Sequence, residues 1–406
     1  MDLPRIYAGI PKGSIMKIRF DKEALIAAVT PAMSAVSDKN TIAAIEGILF
    51  RTDGAESCEL SSYDLEKGFR TTVYGQVQRQ GSYIINAAKL FRIIRIMPES
   101  TILIEVDEEK NMAKITSGKS EFCLPALPGN EFPNLPELSG EKGFSLPQKV
   151  LRKTILQIQH AIGIGEQRPV LSGAYFRISG SSLKVVACDG NRLAYRERQC
   201  SITTKGIDGT QISFIVPGKT LSELLKMIGD SDEPVTLEFG RKHVIFFFGK
   251  QIFFSRLIDG EYIDYERVIP KNNTIRAEVD REELVECLER ASLVTDDKSM
   301  GQVRSYVKCS FLENSLQVSS ASSASSVYDE TEIRKDGADI VIGFNCRYLL
   351  DALRAIDDER ILLTLSTPLM SMTLEQLPGA DVPDDAPEGE DPGKFLYMVC
   401  PVKMKE

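Results

Sequence analysis

Three stretches of the chain repeat one pattern of hydrophobic and polar positions. Each has apolar side chains at helical spacing, then a short polar or proline-containing turn, then a run rich in β-branched residues. The stretches are residues 89–106, 219–239 and 347–365. Their anchor leucines, Leu90, Leu221 and Leu349, recur at intervals of 131 and 128 residues. That period is too long for a solenoid repeat and has the size of a domain.

Two further sets of segments repeat in the same order. Residues 17–29, 144–156 and 277–289 each predict a short strand followed by a helix start, with Asp21 and Asp280 as N-cap residues. Three hairpin-like segments also align: LELSSYDLEKGFRTTV, LKVVACDGNRLAYRER and LQVSSASSASSVYDET. An unrelated α+β protein could show such segments, but three matched sets in one order favour a single α+β fold used three times.

Turn-rich connectors suggest the domain boundaries. We predict an N-terminal extension at residues 1–15 and domains at 16–140, 141–272 and 273–406. Within the third domain, residues 377–394 are acidic, rich in proline and glycine, and poor in apolar side chains, so we predict a loop there. The apolar segment 395–404 that follows predicts a terminal strand docked in a sheet.

Composition narrows the class of protein. The chain has 406 residues, 43% of them hydrophobic, which is enough for several domain cores. It has no apolar run long enough to span a membrane and no signal-peptide segment, so we expect a cytoplasmic protein without membrane partners. The net charge of −9 argues against holding nucleic acid by bulk attraction, although a local basic surface remains compatible with it.

The sequence offers little for a metal, a cofactor or catalysis. Eight scattered cysteines form no C-x-x-C motif, and only His160 and His243 could join them, so we predict no metal site and no cofactor. P-loop, G-x-S-x-G and H-E-x-x-H motifs do not occur. The segment Asp189-Gly190-Asn191-Arg192 is the most chemical in character, but Asp-Gly also suits a tight hairpin turn. A binding protein is therefore favoured over an enzyme.

Several of these segments resemble a known family. From Met16 to Met404 the chain is similar to the bacterial sliding clamp, the beta subunit of DNA polymerase III. The resemblance rests on SGKSEFCLPALPGNEFPNLP, VVACDGNRLAY, FIVPGKTLSELLKMI, LIDGEYIDYERVIPK, VIGFNCRYLLDAL and YMVCPVKM. The A-x-D-G-x-R-L-A and F-P-N-L-P elements are specific, and order and spacing agree throughout.

The resemblance implies a fold and a role. It implies three similar DNA-clamp domains per chain, with sheets outside and helices lining a ring, in a head-to-tail homodimer. Such a ring has no catalytic activity and encircles duplex DNA without sequence specificity, tethering the replicative polymerase for processive synthesis. The implied partners are the DNA polymerase III alpha subunit, a clamp loader, and other DNA polymerases and repair proteins that carry short peptide motifs.

The resemblance also implies sites. Basic residues on the inner helices and loops are expected to face DNA: Lys39, Arg92, Arg95, Arg152, Arg168 and Lys219. A partner-peptide pocket is expected between the second and third domains. Its wall would consist of Leu171, Cys188, Gly190, Asn191, Arg192, Leu193, Arg267, Val268, Asn345, Tyr348, Leu369, Ser371, Cys400, Pro401, Val402, Lys403 and Met404.

The dimer contact is expected to join the first domain of one protomer to the third domain of its partner. Phe122 and Leu124, on an edge strand, would pack on Leu293 and Val294. Two rival interpretations remain. A DNA-processing enzyme would need a carboxylate cluster for Mg²⁺, and none is evident. A three-domain protein-interaction scaffold that does not encircle DNA would also suit the acidic charge.

Overall fold

The computed structural model is an α+β protein in which one order of elements occurs three times. It describes residues 16–37, 42–107, 109–138, 140, 142–199, 202–206, 211–240, 242–295, 306–321, 325–378 and 393–404. The predicted extension at 1–15 and most of the predicted acidic loop, 379–392, lie outside the described residues.

The first repeat consists of β1 (Met16–Asp21), α1 (Lys22–Ala32), β2 (Gly47–Asp53), β3 (Ser57–Tyr63), β4 (Lys67–Arg79), β5 (Ser82–Asn86), α2 (Ala87–Ile96), β6 (Thr101–Asp107), β7 (Met112–Ser117) and β8 (Ser120–Pro128).

The second repeat has the same order with one additional short strand. It consists of β9 (Lys142–Pro147), α3 (Gln148–Ile158), β10 (Gly173–Ser179), β11 (Ser182–Cys188), β12 (Arg192–Gln199), β13 (Thr203–Lys205), β14 (Ile212–Pro217), α4 (Gly218–Leu224), β15 (Pro234–Phe239), β16 (His243–Phe248) and β17 (Gln251–Arg256). The short helix α5 (Tyr265–Val268) lies in the connector that follows.

The third repeat consists of β18 (Ile275–Asp280), α6 (Arg281–Thr295), β19 (Val307–Phe311), β20 (Ser315–Ala321), β21 (Ser326–Asp336), β22 (Ile340–Phe344), α7 (Cys346–Arg354), β23 (Arg360–Leu365), β24 (Met372–Gln376) and β25 (Lys394–Val399). Single-turn 3₁₀ helices lie at Met33–Ala35, Ala43–Glu46, Gly129–Glu131, Gln159–Ala161 and Pro169–Ser172.

The sequence pattern explains where these helices begin and which face they bury. Asp21 caps α1 by accepting a hydrogen bond from the Ala24 amide at 2.9 Å, and Asp280 accepts from two amides in the first turn of α6, which confirms both predicted caps. In α2, Leu90, Ile93 and Ile94 are buried while Arg92 and Arg95 are exposed. Helix α4 ends at Leu224, earlier than its apolar pattern predicts, and tighter i→i+3 backbone bonds follow it.

The chain folds into two compact units, each built on one continuous antiparallel sheet. The first unit contains residues up to 148 with 203–206 and 223–257, and its thirteen strands run β1-β6-β7-β8-β5-β2-β3-β4-β17-β16-β15-β9-β13. The second contains the remaining residues, and its twelve strands run β14-β10-β11-β12-β25-β24-β23-β18-β21-β20-β19-β22. Each unit therefore joins one terminal repeat to half of the middle one.

Strand pairing across repeats makes each sheet continuous. In the first unit β4 pairs with β17, and in the second β12 pairs with β25. Each of these junctions is backed by an apolar cluster. Phe254 and Ile245 of the second repeat pack with Tyr63 and Ile84 of the first, and Tyr262 and Met398 belong to the matching cluster in the second unit.

Candidate functional site

The Asp189–Arg192 segment is a tight turn that fixes the start of β12. The Asp189 carboxylate accepts hydrogen bonds from the backbone amides of Asn191 at 2.9 Å and Arg192 at 3.0 Å, and Gly190 has φ +86°. The Asp189 side chain supplies the hydrogen bonds that close the turn, and glycine, which has no Cβ atom, adopts the left-handed conformation without steric strain. The chemical-looking cluster is therefore structural, as the hairpin-turn interpretation of the sequence suggested.

Arg192 joins this turn to helix α7. Its Nε lies 2.9 Å from an Asp189 oxygen and its Nη1 lies 2.7 Å from an Asp351 oxygen. The guanidinium also lies over the Tyr348 ring, 4.3 Å from the centroid. All its contacts are with planar or anionic groups, an arrangement that suits arginine better than lysine.

The terminal strand reaches the same place through backbone pairing. Leu193 pairs with Met398 in the β12–β25 ladder, and the Cys400 amide donates to the Asn191 carbonyl at 2.8 Å. Beyond the strand, the Val402 amide donates to the Gly343 carbonyl at 2.8 Å, which ties residues 400–404 to the end of β22. The turn and the C-terminal segment thus meet on one surface of the second unit, although Gly190 and Cys400 are 210 residues apart in the sequence.

The floor of this surface is apolar. Leu171, Cys188 and Leu193 are buried in one cluster with Met398 and two connector tyrosines, and Cys400 packs partly buried against it. The Ser371 hydroxyl donates to the Cys400 sulfur at 3.4 Å. Burial raises the pKa of the Cys188 thiol, so this residue contributes as a neutral hydrophobic group.

Other predicted pocket residues have different settings. Leu369 is 79% exposed and Val268 48% exposed, so both offer apolar surface to solvent. The Arg267 guanidinium is exposed and paired with Asp264 at 2.8 Å. Asn345 caps α7, its side-chain oxygen accepting from the Arg347 amide at 3.0 Å, so that oxygen serves the helix. Pro401, Val402 and Met404 are half-buried, and Lys403 is exposed.

His160 is a component that the sequence reasoning missed. It is half-buried, and its ring meets the Tyr397 ring edge-on at 5.3 Å. Burial, together with the positive charge of Arg192, lowers its pKa to about 4, while Asp351 acts in the opposite direction. The position follows helix α3 just before a glycine-rich loop, and no sequence motif distinguishes it.

The basic residues predicted to face DNA have mixed settings. Arg92, Arg95, Arg168 and Lys219 are exposed, and Arg152 is half-buried. Arg92 and Arg95 lie on the solvent face of α2, with Arg95 over the Phe91 ring at 5.3 Å. Lys39 lies outside the described residues.

The predicted dimer-contact residues also differ in exposure. Leu293 is 79% exposed and Phe122 is 37% exposed, whereas Val294 is half-buried. Leu124 is 8% exposed because its side chain points into the first unit, which leaves Phe122 as the accessible apolar member of β8.

The first unit contains a separate cavity of about 860 Å³, lined mainly by α1 and the turn after it, the start of α2 and residues 223–227 around the end of α4. None of the residues predicted from the sequence lines it. Within the described part of the chain, no group of three or more His, Cys, Asp or Glu side chains could hold a metal ion. No helix in that part is long and apolar enough to cross a membrane.

Three repeats joined by continuous sheets, with an apolar surface at the second junction, define a DNA-clamp type of binding protein. Models of the DNA polymerase III beta subunit match the chain in consecutive segments: the N-terminal domain at residues 16–136, the central domain at 145–264 and the C-terminal domain at 266–385.

Known proteins agree. The beta sliding clamp of Escherichia coli K12 is 30% identical over 363 residues, or 89% of this chain and 96% of the relative; that of Bacillus subtilis is 29% identical over 85% and 92%. The solved Bacillus subtilis clamp has a TM-score of 0.85 at 26% identity, covering 97% of this chain and 100% of that one. A Pseudomonas aeruginosa sliding clamp bound to griselimycin has a TM-score of 0.83 at 26% identity, with 96% and 100% covered.

The chain therefore belongs to the DNA polymerase III beta subunit family, the bacterial beta sliding clamps. Its function is that of a sliding clamp in DNA replication, which supplies processivity and is not a catalytic subunit.

Proposed function

We propose that two copies of this chain close head to tail into a ring around duplex DNA and tether the replicative polymerase to it. The main support is that each repeat offers two sheet edges, and the chain uses only part of them. β4 of the first repeat accepts β17 of the second, and β12 of the second accepts β25 of the third. The corresponding strands left over are β21 in the third repeat and β8 in the first.

Both leftover strands have an edge available. Residues 120–125 of β8 pair with β7, and residues 326–332 of β21 pair with β20; within the described part of the chain, neither segment has a second strand partner. A head-to-tail contact between these edges closes a ring when two copies meet twice. An open edge of this kind favours pairing with another strand.

The two internal junctions supply the register. Gly68, Leu193 and Ser326 each close the same hairpin, opposite Tyr63, Cys188 and Ala321. Gly68 pairs with Phe254, and Leu193 pairs with Met398. The strand pairings β1-β6-β7-β8, β9-β15-β16-β17 and β18-β23-β24-β25 can be followed residue by residue from the first strand of each repeat. In this alignment Phe254 and Met398 have the same position as Cys123. We therefore expect Cys123 of one protomer to pair with Ser326 of its partner.

A side-chain contact follows from the same equivalence. His160 and Leu293 have the same position relative to the starts of α3 and α6, and Tyr397 and Phe122 precede the paired residues of β25 and β8. His160 packs on Tyr397 at 5.3 Å in the internal junction. The expected counterpart in the closing junction is Leu293 on Phe122, which accounts for a leucine left 79% exposed on a helix.

A ring explains how an acidic protein can serve DNA. Topological closure removes the need for tight phosphate binding, and exposed arginines and lysines on inner helices and loops give salt-sensitive contacts without sequence preference. Arg92, Arg95, Arg168 and Lys219 supply such exposed cations, Arg152 is half-buried, and Lys39 remains a predicted contact.

The surface around Arg192 is the proposed partner-peptide pocket. Buried Leu171 and Leu193 form an apolar floor, exposed Leu369 and Val268 offer contacts at the rim, and Lys403 adds a charge. Short motifs of the DNA polymerase III alpha subunit, the clamp loader and other DNA polymerases and repair proteins would bind here with micromolar affinity, about −8 kcal/mol. Two pockets per ring then give avidity to partners with two motifs. We place this activity in the cytoplasm, where chromosomal DNA is replicated.

The first test is retention on nicked circular plasmid after loading with clamp loader and ATP. Clamp that stays on the circle and leaves after linearisation supports encirclement. Clamp that binds partner peptides but ignores linearisation supports the alternative, a protein-interaction scaffold without encirclement.

A second test uses the register. Ser326→Cys should form a disulfide with the exposed native Cys123 of the partner under mild oxidation, giving a covalent dimer on a denaturing gel. Glu330→Cys, on the same strand but four residues out of register, is the matched control and should stay monomeric on the gel. Equal cross-linking of both variants, or of neither, contradicts the proposed pairing.

A further inference from the structure

The helices of the third domain reverse the charge found on those of the first two. Helix α2 carries three basic residues and no acidic one, and α3 likewise carries three basic residues and none acidic. Helix α6 carries four glutamates against two arginines. Helix α7 adds two arginines and one aspartate, so the third pair of helices has five acidic and four basic residues. The pairs α1 with α2 and α3 with α4 each have one acidic and four basic residues.

The reversal occurs at equivalent positions. Counted from the residue before each helix, Glu282 and Glu286 of α6 correspond to Lys149 and Lys153 of α3. Both glutamates are exposed. The positions that carry lysines in the second domain therefore carry carboxylates in the third, although Lys153 itself lies 2.9 Å from Asp357 of the third domain.

Two of the arginines on α6 and α7 are paired with carboxylates. Arg354 of α7 pairs with Glu289 of α6 at 2.7 Å, and Arg290 contacts Asp329 and lies 3.5 Å from Glu286. In the first domain the residue equivalent to Arg354 is Arg95, which lies over an aromatic ring and is exposed. The first domain thus offers arginines to an anion, while the third offers mostly carboxylates.

We propose that the duplex inside this ring lies off-centre, held by the helices and loops of the first and second domains and kept away from α6 of the third. This inference rests on the proposed function, because it requires DNA within the ring. Phosphates are attracted to exposed cations and repelled by exposed carboxylates over roughly one Debye length, about 8 Å at physiological salt. The acidic helix acts as a repulsive wall that limits friction during sliding.

The test places one photo-crosslinking side chain at matched positions. Arg95→p-benzoylphenylalanine and Arg354→p-benzoylphenylalanine remove the same charge from equivalent helices of different domains. Each variant is loaded on nicked circular DNA with loader and ATP, freed of unbound protein and irradiated. We expect several-fold more protein–DNA cross-link from position 95 than from position 354.

A second variant tests the cause. Glu282→Lys with Glu286→Lys gives α6 the lysines of α3 at the two matched positions, and this change should raise the cross-link yield from position 354 toward that from position 95. Equal yields from the two positions, or no response to the lysines, overturn the proposal. Loss of retention on the circle by wild-type protein is a different outcome, which removes the proposed encirclement itself.

Discussion

Leu293→Ala should convert the ring largely into monomers at concentrations where the wild type is dimeric. Leu293 is 79% exposed in the single chain, and the contact of His160 with Tyr397 in the second internal junction predicts that it is covered by Phe122 of the partner. Truncation to alanine removes three carbon atoms, at about 0.8 kcal/mol each, or about 2.4 kcal/mol per contact. A two-fold ring contains this contact twice, so the dimer loses about 5 kcal/mol, equivalent to three to four orders of magnitude in Kd.

Sedimentation velocity over a dilution series measures this shift directly. Ile164→Ala is the matched control, because Ile164 is 94% exposed but has no predicted place in the junction. Thermal unfolding of both variants should match the wild-type monomer, since neither side chain supports its core. An unchanged dimer Kd for Leu293→Ala would refute the equivalence between the internal and closing junctions; adding Val294→Ala should only enlarge the effect.

Three more predictions concern the second junction and its equivalent in the first. Gly190→Ala should destabilise the fold by about 1 kcal/mol, because alanine is strained at φ +86°. Leu65→Gly should relieve a similar backbone strain at the equivalent position, where φ is +77°. Urea unfolding measures the stability change in both variants. Arg192→Ala should cost about 2 kcal/mol of stability, because it leaves two partly buried carboxylates unpaired. The same substitution should weaken peptide binding, which fluorescence anisotropy measures. Arg192→Lys should restore the charge but not the stacking on Tyr348. Because the pKa of His160 is lowered to about 4 in the folded protein, the unfolded chain takes up the proton first as the pH falls. Stability should therefore fall by up to about 3 kcal/mol as the pH drops from 6.5 to 4. His160→Gln should remove this pH dependence from thermal unfolding, and an unchanged pH dependence would exclude His160 as its source.

Local features of the fold could be predicted from the sequence because they depend on neighbouring residues. The N-caps Asp21 and Asp280, the amphipathic face of α2 and the Asp189–Arg192 turn all follow from short-range pattern and hydrogen bonding. The pocket list, by contrast, came from family resemblance, since no periodicity links Leu171 to Cys400.

Long-range contacts could not be predicted in this way. The bridge from Arg192 to Asp351 spans 159 residues of sequence, and the pairing of β4 with β17 joins half of the second repeat to the first. The burial of Leu124 likewise depends on how β8 twists between β7 and β5. Such features are fixed by tertiary packing, which overrides local preference.

Repetition of one register at both internal junctions has a consequence for chain connectivity. The same edge-to-edge strand pairing joins neighbouring repeats at each junction. Neighbouring repeats are therefore held together in the same way whether or not the polypeptide is continuous between them. A circular permutant that begins at the connector before β9 and joins the old termini through a linker should assemble into the same ring. Its non-covalent closing junction would then lie between the repeats that are first and second in the wild-type chain. The junction at which a loader opens such a ring would then depend on where the chain termini lie, and not on differences between the strand-pairing interfaces.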